Sequence, residues 1–154
     1  MRKPFENDDE IVDLMRRFES CEIHPADFRH YQHLTVALWY VREFPYEAAS
    51  EKMRAGIRKL AAAYGKTGYH ETITLFWLVM VRDFAAMADP DEAICDLANR
   101  LVTSCDNKDL IKEFYSEGLL ASAEAKERWV APDLKLLSMV TESILSATES
   151  VPSA

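Results

Sequence analysis

Residues 28–68 read FRHYQHLTVALWYVREFPYEAASEKMRAGIRKLAAAYGKTG, and their punctuation decides the fold class. From Phe28 to Phe44, the apolar residues Tyr31, Leu34, Ala37, Leu38, Val41 and Phe44 recur every three or four positions, the period of one helical face. Pro45 ends that run, because its ring carries no N–H and clashes with a preceding helical turn. It can then serve as the first residue of the next helix, where the missing N–H is harmless. Tyr46, Ala49, Met53, Ile57, Leu60 and Tyr64 give that helix an inward stripe, and Gly65-Lys66-Thr67-Gly68 stops it with a turn.

The same period extends in both directions. A first helix starts after Asn7-Asp8-Asp9 and carries Ile11, Leu14, Met15 and Phe18, and residues 22–27 form a connector. A helix from near Tyr69 to about Ala88 stops before Asp89-Pro90, and another spans roughly Asp91 to Thr103. Asn107 to Tyr115 and Ser116 to Trp129 read as two shorter helices. A last one follows Ala131-Pro132-Asp133 with Leu134, Leu137, Val140 and Ile144. No segment alternates like a strand. The expectation is an all-α, single-domain bundle of about five to seven helices over residues 1–145, with 146–154 a disordered tail.

Composition narrows the function classes. The chain of 154 residues carries a formal charge of −8, with its basic residues scattered among acidic ones, so it lacks the basic stripe that nucleic-acid binding needs. The apolar runs, such as Leu75 to Val81, fall short of the roughly 20 residues that cross a bilayer. No basic-then-apolar leader stands at the N-terminus. Cys21, Cys95 and Cys105 have neither CxxC nor disulfide-framework spacing, which reads as reduced thiols. Together these predict a soluble, cytoplasmic protein with no membrane partner.

The chemistry-bearing residues sit in Phe28–Leu34 and in Tyr69–Thr74. At about 100° per residue, His30 and His33 fall inside the apolar arc of their helix. Gln32, Thr35, Arg42 and Glu43 take the other side, with Trp39 and Val36 toward it. His70 falls inside the arc formed by Ile73, Phe76, Trp77, Met80, Val81 and Phe84. Three of the four histidines therefore point where side chains are normally apolar. A shared metal would satisfy one nitrogen of each ring, and three neutral imidazoles suit zinc, iron, nickel or copper while leaving a position open.

On that reading His30, His33 and His70 are ligands of a divalent transition metal, and Glu71 is the general base or orients an imidazole. Tyr31, Tyr69, Thr74 and Trp77 line the pocket, and Arg54 reaches in to hold a carboxylate or phosphate of a small-molecule substrate. Hydrolysis and oxygen-dependent oxidation both suit such a site. The alternative is a non-catalytic ligand-binding or protein-interaction module whose buried histidines bond tyrosines, Thr74 or carbonyls and fix helix register. A homodimer through Trp39 and Val36 is compatible with either. His24, in the connector, reads as surface.

The segments FRHYQHLTVALWYV and GYHETITLFWLVMV resemble a bacterial family of small, all-helical, uncharacterised proteins with an HxxHL segment and a YHET(I/x)T segment. LIKEFYSEGLL and RWVAPDL resemble its C-terminal half, so the likeness covers roughly residues 10–137. The resemblance implies an all-helical fold and picks out His30, His33, Tyr69, His70, Glu71 and Thr72, with Tyr115 and Ser116 further on. It implies an arginine where this chain has Lys126, and it implies no activity.

Overall fold

Asn7 opens the first helix as a cap: its side chain accepts the Glu10 N–H at 3.1 Å. A computed structural model describes residues 3–137, which form seven α-helices and two 3-10 helices with no strand among them. The all-α expectation is met. The helices are α1 (Asp8–Glu19), α2 (His30–Glu43), α3 (Tyr46–Ala63), α4 (Glu71–Ala86), α5 (Ile94–Cys105), α6 (Glu117–Leu120) and α7 (Ala123–Glu127). The 3-10 helices are Pro25–Asp27 and Lys108–Glu113. No helix among the described residues is long and apolar enough to cross a membrane.

The chain divides into two units. Met1–Tyr69 and Trp77–Lys108 form the first; His70–Phe76 and the chain from Asp109 form the second. In the first, α2 packs on α3 and α5, and α1 packs on all three. The core takes Ile11, Leu14, Met15 and Phe18 of α1, Leu34, Ala37 and Leu38 of α2, and Ala49, Met53 and Leu60 of α3, all on predicted stripes, and adds Leu97, Ala98 and Leu101 of α5. Gly56 lets α1 and α3 meet, since a methyl group there would stand 2.4 Å from the Phe18 ring. α2 is buried over more of its surface than its wheel predicts. Thr35 and Val36 are both fully buried, so Val36 cannot mark an exposed dimer face.

Side chains close the helix ends of this unit. At the end of α1, Cys21 takes the left-handed conformation, and the Cys21 and Glu22 N–H groups return to Phe18 O and Arg17 O. α5 has no local side-chain cap; the carboxylate of Asp8 accepts the Cys95 N–H at 2.9 Å instead. Arg42 donates to the carbonyls of Glu92 and Pro90, which fixes the loop before α5. Tyr40, buried, donates to Glu19 at 2.8 Å.

The second unit has short elements and much irregular backbone. Its core is aromatic: the Phe76 ring meets Phe114 at 5.2 Å and Tyr115 at 6.2 Å, and Tyr115 meets Trp129 edge-on at 6.2 Å.

Several predicted boundaries move. Pro45 caps α3 rather than entering it, and α4 begins at Glu71 instead of Tyr69. α5 runs three residues later at its start than expected. The two helices expected over 107–129 are a 3-10 helix and two single turns. Ser116 and Ser122 each accept an N–H three residues ahead, at Leu119 and Ala125, and so restart the chain twice. Leu134–Leu137 is not helical; Val140, Ile144 and the expected tail lie outside the described residues.

Candidate functional site

α2 puts His30 and His33 one turn apart, because positions three residues apart share a helical face. His30 donates from Nε2 to the Cys105 carbonyl at 3.3 Å, and its ring meets the Trp77 ring edge-on at 4.4 Å. Burial holds its pKa below the ordinary histidine value, against the smaller pull of the Cys105 carbonyl and Asp106. His33 lies on the Phe28 ring with centroids 3.9 Å apart. It keeps some exposed surface yet is densely surrounded. Burial, with the neighbouring His30 charge second, lowers its pKa to about 4, against a backbone hydrogen bond at Phe28. Both rings are neutral near pH 7.

His70 precedes α4 and caps it. Its Nδ1 accepts the Ile73 N–H at 3.1 Å, so Nε2 must carry the proton, which it donates to the Leu120 carbonyl at 2.7 Å. Both ring nitrogens are therefore engaged. His70 thus stands just before the helix, not within its first turn as expected. Thr72, fully buried, donates to the Arg128 carbonyl at 2.8 Å and accepts the Val130 N–H at 3.2 Å. Thr74 donates to the His70 carbonyl at 2.9 Å. Glu71 is the first residue of α4, where the helix dipole favours an acid, and it is buried.

The remaining predicted site residues have separate surroundings. Tyr31 faces the Phe5 ring at 6.0 Å, Tyr69 lies beneath the Arg58 guanidinium at 4.3 Å, and Arg54 pairs with Glu51 at 2.8 Å. Of the predicted set, the structure joins His30 with Trp77 and His33, and His70 with Thr74. His24 is exposed, as expected, but it also caps the first 3-10 helix by accepting the Ala26 N–H at 3.0 Å. Among the described residues, no group of three or more His, Cys, Asp or Glu side chains is placed to hold a metal ion. His70 must give up a hydrogen bond to ligate a metal.

The second unit holds a cavity of about 620 Å³ that the histidine segments do not line. Tyr115, Leu120, Ala121 and Leu134 supply apolar surface, and Lys112, Lys126, Ser116 and Glu117 supply the polar groups. The Tyr115 hydroxyl donates to the Val130 carbonyl at 2.7 Å. Ser116 donates to Asp133 at 2.6 Å, and its hydroxyl and N–H hold the Asp133 carboxyl below the usual carboxylate range. Helical wheels over 107–129 show no concavity, because a wheel assumes the helix that the serines interrupt. The available signal was those serines, each followed by a glutamate within two positions, which marks two helix starts. Comparison with family models, with curated protein sequences and with solved structures gives no match for this chain.

Proposed function

We propose that this chain is a non-catalytic ligand-binding helical module whose histidines hold the fold and whose ligand occupies the cavity of the second unit. The cavity carries the reading. Its volume of about 620 Å³ falls within the roughly 300–1,000 Å³ of small-molecule sites, and its apolar surface is edged by few polar groups. The two hydroxyls that line it are tied to Val130 and Asp133, which suits them to shaping the wall. The fluorescent probe 1-anilinonaphthalene-8-sulfonate tests this. Wild type brightens it saturably, and Ala121→Trp, which fills the cavity from an exposed position, removes the response without lowering the melting temperature. An unchanged response in that variant sinks the proposal.

A competing reading keeps a zinc, iron, nickel or copper ion on His30, His33 and His70, with Glu71 moving protons. One observation favours it: burial keeps His30 and His33 neutral, the form that ligates. Metal analysis of protein purified without an affinity tag separates the two. The module reading expects near-zero metal in wild type and His33→Ala alike. Stoichiometric metal that disappears in the variant replaces it with the metal reading.

A further inference from the structure

Resting on the binding reading above, we infer that the cavity's ligand is an amphipathic anion: an apolar body ending in a single negatively charged head. The chain as a whole carries a formal charge of −8, whereas the cavity wall sets two lysines against one glutamate, with the Asp133 carboxylate already engaged by Ser116. Opposite charge at a wall that is otherwise apolar selects a ligand with both characters, because a purely polar anion gains nothing from Leu120, Ala121 and Leu134.

The two lysines are not equivalent. Lys112 already pairs with Asp109 at 3.1 Å. Lys126 makes no ion pair among the described residues, so its ammonium is the head-group anchor. Leu134, exposed at the same wall, extends the apolar surface for the ligand body. Glu117 opposes a second negative charge and favours a monoanion over a dianion.

Calorimetric titration of the full chain with octanoate, octan-1-ol and octylammonium at neutral pH tests this, because the three share a hydrocarbon body and differ in head charge. Octanoate binds about fivefold tighter than octanol, the size of one partly exposed ion pair. Lys126→Met removes that advantage and leaves octanol affinity unchanged; Lys126→Arg restores it. Equal binding of octanoate and octanol to wild type overturns the anion inference while leaving the binding reading intact, as does tightest binding of octylammonium. Failure of all three to bind overturns both.

Discussion

Thr35 in the first unit and Thr72 in the second are both fully buried, yet their hydroxyls serve different ends. Thr35 donates to the Tyr31 carbonyl at 2.8 Å, one turn back in its own helix. That carbonyl already accepts a helical N–H, so the hydroxyl adds a second bond to a satisfied group. Thr72 bonds the Arg128 carbonyl and the Val130 N–H, across 56 and 58 residues of sequence. Those groups lie in irregular chain with no ladder of their own. The first unit satisfies most of its backbone within long helices and uses side chains mainly at their ends, as Asp8 does for Cys95 and Arg42 for Glu92 and Pro90. The second does so with side chains: His70 on Leu120, Thr72 on Arg128 and Val130, Tyr115 on Val130, Ser116 with Asp133. Polar residues at the start of α4 are thus the scaffold of the second unit, whatever else they do.

The largest effect expected from this contrast is at Thr72. Thr72→Val keeps shape and volume but leaves a carbonyl and an N–H without a partner, each worth about 1–3 kcal/mol when buried. The variant should unfold with about 2–4 kcal/mol less free energy in urea denaturation. A loss below about 0.5 kcal/mol means that water replaces the hydroxyl, and the contrast between the units fails.

The same contrast explains what the sequence disclosed. In the first unit, Asn7, the apolar stripe of α1, Pro45 and Gly65 were legible because caps, periodicity and turns are local. His30 and His33, which the wheel puts on the apolar arc, are each partly buried. Their partners were not legible: Cys105 lies 75 residues from His30, and no local pattern names it. The reach of Asp8 to cap α5 was hidden for the same reason. In the second unit the bonds that join its separate pieces are of this long-range kind: His70 to Leu120, Thr72 to Arg128 and Val130, Tyr115 to Val130, and Ser116 to Asp133. Residues 107–129 have apolar positions enough for helices, so the reading placed a helix start at Ser116 but ran over Ser122.

The histidines of α2 sharpen the comparison through pH. His33 has a folded pKa of about 4 against an ordinary 6.5, so between those values the unfolded chain binds the proton and the folded one does not. The stability this neutral ring confers is fully present above about pH 6.5, is lost as pH falls toward 4, and stays lost below. At 1.36 kcal/mol per unit the loss is about 3 kcal/mol at most, and His30 shifts the same way. His33→Gln should flatten the fall in unfolding free energy between pH 6.5 and 4.5. The same slope in wild type and variant would place the acid sensitivity elsewhere.

The smallest effect is expected at Thr35, and it is the most discriminating. Thr35→Val removes a hydroxyl as deeply buried as that of Thr72, in the same residue type and by the same isosteric change. If burial of a polar atom decided the cost, the two variants would behave alike. If the cost is set by the backbone group left behind, Thr35→Val is neutral within about 0.5 kcal/mol, because the Tyr31 carbonyl retains its helical partner. The added valine methyl meets a packed core and offsets part of what the hydroxyl gave. Measured in the same denaturant series, a Thr35→Val loss as large as that of Thr72→Val would show that long-range tethering is not what distinguishes the second unit. A difference of about 2 kcal/mol or more would locate that distinction in the irregular chain that Thr72 holds.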